Sequence, residues 1–249
     1  MSTLLGQSAG EALLSDGTQN TAIGYEALKF STSTDANTAV GHRSLYLTTV
    51  GTNNTGNGAY TLYSNTSGSQ NTGIGRNALN ANISGNNNTA VGYNSLLSNT
   101  TGSQNIAFGG TALQANTTGT NNTALGYASL YTNSTGTGNT ASGMYSLYYS
   151  TTSTYSTAVG YLSGVGTSLT TSDYNSKTDT FMTFLGTSAS RDNNNASTTI
   201  LTNSTAIGYN AKVGGSNMLV LGNGVNVGIG TSSPTQRLSV HGQSALPAT

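Results

Sequence analysis

Apolar and small residues recur at a fixed interval along this chain, set in a background of Asn, Thr and Ser. The phrase "NNTAVGYNSLLSNTTGSQ" from Asn87 returns as "NNTALGYASLYTNSTGTG" from Asn121 and, earlier, as "QNTAIGYEALKFSTSTDA" from Gln19. Its glycine falls at Gly24, Gly41, Gly58, Gly75, Gly92, Gly109, Gly126, Gly143 and Gly160, each step being 17 residues. With this glycine as position zero, position −2 is Ala or Gly in every copy, from Ala22 to Ala158. Position +3 is Ala, Ser or Thr, from Ala27 to Ser163. Position −1 is mostly apolar (Ile23, Val40, Ile74, Val91, Phe108, Leu125, Val159), and position +4 is Leu in eight consecutive copies, Leu28 to Leu147.

A period held without insertion implies a stacked architecture. The repeat holds too many Gly, Thr and Asn residues for a helix. Two short alternating segments, one on each side of the glycine, followed by a turn such as "SNTTG", predict an all-β parallel solenoid with two short strands per coil. Strand alternation then places −2 and +3 inside and −1 and +4 outside, as a continuous apolar stripe; the reverse assignment stays open. Such a stripe rarely stays wet. Burying it against identical chains around an axis makes the expected partner the chain itself, as a homotrimer, with end-to-end filament growth as a further form of self-association.

Charge changes the picture in two ways. Only 6% of residues are charged and the formal net charge is zero, so neither a nucleic-acid partner nor an anionic membrane surface is expected. In a solenoid each residue also faces its counterpart in the next coil about 4.8 Å away, so a repeated charge would meet its own sign. Glu26 and Arg43 lie 17 residues apart with opposite signs, and the register predicts that they touch. There is no Cys, which removes disulfides and thiolate metal sites. No apolar run is long enough to span a bilayer, and "MSTLLGQSAGEALL" does not read as a secretory signal.

The regular count covers residues 1–164, with an irregular first coil judged from the short step between Leu13 and Leu28. Residues 165–203 break it and hold Asp173, Lys177, Asp179, Arg191 and Asp192, as longer coils with protruding loops; "FMTFLGTSA" inside them reads as a coil around Gly186. Residues 204–242 resume with shorter steps as a neck-like segment, and 243–249 form a tail.

"NTAIGYEAL", "NTAVGYNSL" and "STAIGYNA" resemble coils in the heads of trimeric autotransporter adhesins, left-handed parallel β-rolls packed three about an axis. The 17-residue coil is longer than is usual there. The phrasing is also similar to repetitive shafts of phage tail fibres and large bacterial surface proteins, where a segment like "NMLVLGNGVNVGIGTSSPTQRLSVHG" often precedes a self-cleaving chaperone domain. The resemblance covers roughly residues 1–164 and 204–242. It implies a non-enzymatic structural or adhesive fibre segment on a cell surface or virion, extending or presenting a receptor-binding end.

Catalytic chemistry finds little to stand on. His42 occupies the +1 column beside Tyr25, Tyr93, Tyr127 and Tyr161 and reads as a ladder substitution, because a catalytic His needs an orienting partner and a nucleophile; the other histidine is His241. No pair of carboxylates has a spacing that suggests acid/base work, so a glycan-acting enzyme would need Asp173, Asp179 and Asp192 to share a cleft. "RDNNNAS" is read as a polar loop tip rather than a cation site, and "GNGVNVGIG" lacks the features of a phosphate loop. No cofactor or metal is expected. Tyr46, Tyr63, Tyr131 and Tyr148 share position +5 and are the candidate glycan or receptor contacts, with packing between chains or along the ladder as the competing role. The Thr column at −3, from Thr21 to Thr157, suggests an ice-binding solenoid as the alternative function.

Overall fold

A computed structural model describes residues 1–13, 18–165, 178–192, 200–222, 224, 226–229, 232–236 and 238–240. The chain is a parallel β-solenoid of about 12 coils, and no helix occurs among the described residues. One sheet of 13 strands runs its length in chain order, except that the two-residue strands Ser190–Arg191 and Lys212–Val213 pair separately. A second small sheet joins Val227–Ile229 to Leu238–Val240. In the regular part the register advances by one coil at each pairing: Thr89 lies beside Ile106, Ala90 beside Ala107 and Val91 beside Phe108. The backbone ladder is tight, with the Thr89 amide donating to Asn105 O and the Gly92 amide to Ile74 O, both at 2.8 Å.

Each regular coil has one three-residue strand, covering positions −3 to −1, where two were expected. After the glycine the chain does not run extended. Positions +2 and +4 take left-handed conformations, as at Asn94 (φ 55°) and Leu96 (φ 49°), and the pattern repeats in neighbouring coils. The segment still pairs across coils. The Asn94 amide donates to Arg76 O in the coil before, and the Leu96 amide to Ala112 O in the coil after. Left-handed φ is uncommon for residues with a Cβ, and here hydrogen bonds to both neighbours hold it in place.

That conformation overturns the expected facing of the leucines. Position −2 is inside and −1 outside, as strand alternation requires. At +3 and +4 alternation fails, because the left-handed residue turns both side chains the same way. Ser95 and Leu96 are both fully buried, and the leucine column from Leu28 to Leu147 is the core of the rod. The outer apolar stripe therefore consists of −1 without +4.

Position zero belongs to glycine for two reasons. Gly92 has φ 132°, in the range that favours glycine, and a Cβ there would sit 2.6 Å from the carbonyl of Gly109 in the next coil.

Two asparagine ladders line the interior beside the leucines. At position −4 the Nδ2 of Asn88 donates to Asn71 Oδ1 (3.1 Å) and to Gly102 O (2.9 Å), while its Oδ1 accepts from the amide and Nδ2 of Asn105. At +7, Asn99 Nδ2 donates to Asn82 Oδ1 (2.8 Å) and Gly102 O (2.9 Å), and Asn116 continues the chain of bonds. Buried amides within the ladders thus keep their donors and acceptors occupied, as burial demands, and only at the end of the second ladder does Asn133 Oδ1 lack a donor among the described residues. The second ladder needs glycine at +10, because a Cβ on Gly136 would collide with Asn133 Oδ1. It runs from Asn65 to Asn133. In flanking coils Ser31, Thr48 and Ser150 take the +7 position, and their buried hydroxyls have no hydrogen-bond partner.

The first coil is set by Gly6, not by Leu13. Leu4 pairs with Ala22 and Leu5 with Ile23, which makes an 18-residue step to Gly24. Gly186 and Gly208 extend the glycine column after two longer steps, since Thr157 pairs with Thr183 and Thr183 with Thr205. At the first long step, Gly164 replaces the core leucine and Phe184 replaces the −2 alanine. A Cβ on Gly164 would lie 3.2 Å from the Phe184 ring, so the ring fills the missing leucine's space.

Gly92→Ala should destabilise the fold by roughly 2–4 kcal/mol, from backbone strain plus the collision with Gly109, read as a loss of chemical-denaturation stability. Thr48→Asn should do the opposite. Gly51 already leaves the room, and the new Oδ1 would accept from Asn65, adding about 1 kcal/mol by the same measurement.

Candidate functional site

The outer surface has two notable features, both fixed by the coil geometry. The first is a ridge at the glycine corner, where −1 and +1 both point outward. Ile23 and Tyr25, Leu125 and Tyr127, Val159 and Tyr161, and Ile207 and Tyr209 flank Gly24, Gly126, Gly160 and Gly208 and are all exposed. Phe108 is 59% exposed and Tyr209 74%, values far outside core behaviour. The ridge is interrupted by Asn57 and Ser142 at −1 and by Gln7, Arg76, Gly110 and Thr187 at +1. On the strand face beside it, the −3 threonines form a mostly half-buried rank, broken by Ile106 and exposed at Thr140, next to the bulkier −1 rank.

The second feature is the aromatic set. The four candidate tyrosines are half-buried and form two stacked pairs. Tyr46 and Tyr63 have centroids 4.9 Å apart with planes 5° apart, and Tyr131 and Tyr148 are 4.8 Å and 2° apart. Each pair gains a third ring that the +5 column alone did not indicate, from position +2: Tyr60 lies 5.9 Å from Tyr63, and Tyr145 lies 5.7 Å from Tyr148. The left-handed turn brings +2 and +5 to one side, a proximity invisible to a strand reading. Burial and the neighbouring phenols push the Tyr148 hydroxyl above its ordinary pKa. His42 stands in the +1 column as a ladder member, stacked on Tyr25 at 5.3 Å and edge-on to Tyr60 at 4.9 Å.

Charges gather at two places. Arg43 Nε donates to Glu26 Oε2 at 2.6 Å, which bears out the contact expected from the 17-residue offset. Lys29 Nζ joins Glu26 at 2.7 Å, with Glu11 beyond it at 3.7 Å. The Lys29 hydrogen bond, and after it Arg43, holds the Glu26 carboxyl below its usual range against the effect of burial. The Arg43 guanidinium also lies over the Tyr46 ring, 5.3 Å from its centre.

In the longer coils Arg191 Nη1 donates to Asp179 at 3.1 Å, both side chains being buried, and the Leu201 amide donates to the same carboxylate at 2.7 Å. Burial pushes the Asp179 carboxyl up, opposed by these two donors. Asp179 is thus held as part of the interior. Asp173, Lys177, His241 and most of "RDNNNAS" lie outside the described residues. Among the described residues no three His, Cys, Asp or Glu side chains gather as a metal-holding group. No described helix is long and apolar enough to cross a membrane.

No protein-family model matches the chain, and comparison with curated proteins finds no match. The architecture supports a structural repeat protein.

Because the folded-state pKa of Glu26 is depressed, its contribution to stability is present above the ordinary value of 4.5 and is lost as pH falls through the lower folded value. Glu26→Gln should therefore lower the melting temperature at neutral pH, and the gap from wild type should close in acid below that range.

Proposed function

We propose that this chain is a non-enzymatic, load-carrying segment of a fibre, assembled as a homotrimer and carried on a cell surface or virion, where it extends or presents a binding end. The observation that carries the reading is the ridge at the glycine corner. Thirteen stacked strands at about 4.8 Å per step make the solenoid roughly 58 Å long, and apolar or aromatic groups recur along most of it. A stripe of that length is a contact surface by its chemistry. Another copy presents matching groups at the same rise, so the two can interdigitate step for step. Three ridges turned toward one axis bury one another and leave the tyrosine pairs and polar turns on the outside.

The scarcity of charge supports the same reading. In parallel copies at equal height each residue approaches its own kind, and the ridge holds only uncharged residues apart from Arg76 and His42. The −3 threonine rank supports a second use, ordering water on an open flat face, but only if that face stays free on a single chain.

Light scattering of the purified protein should give three times the 25.2 kDa of the chain. Leu125→Glu with Val159→Glu, changing two exposed ridge positions, should release folded monomer. A wild-type protein that is monomeric and folded in dilute solution would remove the fibre reading, and a thermal-hysteresis assay on that monomer would then decide for or against ice binding.

A further inference from the structure

The tyrosine pairs belong to a larger constellation that occurs twice. His42, Tyr60, Tyr63 and Tyr46 make one set of touching rings, and Tyr127, Tyr145, Tyr148 and Tyr131 make the other. Every member of the second set comes 85 residues, or five coils, after its counterpart in the first. The geometry is reproduced as well: a parallel pair at 4.8–4.9 Å, a third ring tilted at 5.7–5.9 Å, and a fourth edge-on to it. The three intervening coils have no ring at these two columns, holding Asn77 and Asn80, Asn94 and Leu97, and Thr111 and Gln114 instead.

Rings needed only to fill the ladder would run through it, as the core leucines do. These appear in two blocks, half-buried, with neighbours that manage without them. The hydroxyls of Tyr46, Tyr60, Tyr63, Tyr131 and Tyr145 make no hydrogen bond to a described residue. Each block therefore offers an apolar ring surface with several unspent donor–acceptor groups at its edge. Charge limits the ligand further. The first block has Arg43 against Tyr46, whereas among the described residues no charged side chain pairs with the second, so a ligand that both hold alike is neutral. A pyranose, with an apolar C–H face and a periphery of hydroxyls, has that combination.

We infer that the two tyrosine constellations are equivalent binding sites for a neutral polysaccharide, placed about 24 Å apart along the rod so that one polymer chain engages both. Linking two weak sites through one ligand multiplies affinity by up to 10²–10⁴-fold without any new contact. His42 and Tyr127 stand on the glycine-corner ridge, so under the homotrimer reading, on which this placement rests, the polymer is offered the +2 and +5 rings of each constellation, which stay on the outside of every chain.

Affinity electrophoresis in gels containing dextran, mannan or hydroxyethylcellulose tests it. Wild-type protein should be retarded by at least one of these polymers. Tyr46→Leu with Tyr63→Leu, or Tyr131→Leu with Tyr148→Leu, should each weaken retardation at least tenfold, and the four together should abolish it. Circular dichroism establishes that the variants fold. A second measurement needs no variant: tetranitromethane nitration of wild-type protein, mapped by peptide mass, should be suppressed by the retarding polymer at Tyr46, Tyr63, Tyr131 and Tyr148 but not at the exposed Tyr209. Absence of retardation in all three polymers overturns the proposal. So does protection that falls outside the two constellations, or a folded four-site variant that is retarded like wild type. None of these outcomes bears on the light-scattering mass, so failure here and failure of the fibre reading are separately visible.

Discussion

The constraint behind this structure is self-contact at a fixed short distance. Each side chain in the regular coils has its own counterpart about 4.8 Å above and below, so a residue type is acceptable only if it tolerates itself. Glycine at position zero tolerates itself because the two backbones pass where a Cβ would stand. Leucine does so by dispersion contact, and asparagine because its amide is donor and acceptor at once, letting Asn88 give to one neighbour and receive from the other. Carboxylates and ammonium groups do not, and where charges of successive coils meet among the described residues, Glu26 with Arg43 and Glu11 with Lys29, the signs are opposite. The unusual composition is the direct result.

A second constraint is the narrowness of the coil. One strand of three residues cannot enclose a core, and the left-handed residues at +2 and +4 do the rest by folding the chain back while keeping hydrogen bonds to both neighbours. The same turn places Leu96 beside Ala90 in the interior and sets the +2 and +5 rings side by side on the surface. Packing inside and the aromatic constellations outside therefore share one backbone origin.

The architecture was legible in the sequence because a 17-residue count needs no knowledge of side-chain direction. It sufficed to place Gly92 on Gly109 and Glu26 against Arg43. What it could not supply was the conformation between strands. Leu96 read as an outward residue because alternation assumes extended backbone, and nothing in "GYNSLL" announces left-handed Asn94 and Leu96, since neither is glycine. A 17-residue period lets repeated Asn side chains bond to one another, but the period alone does not say which columns do so. A sharper signal was available in the joint occurrence of Asn at +7 with Gly at +10, as in Asn99 and Gly102, against Ser150 and Ser153 where both change. The tyrosines at +5 were visible as a column, but their partners at +2 were not.

The second asparagine ladder covers only the coils from Asn65 to Asn133, and beyond it hydroxyls stand unpaired at the same depth. Cohesion between neighbouring coils is consequently uneven. Under tension along the axis, such a filament would peel coil by coil from its outer portions while the central stack held. Extension would absorb work before the middle gave way, so the distribution of one amide side chain sets where the rod yields.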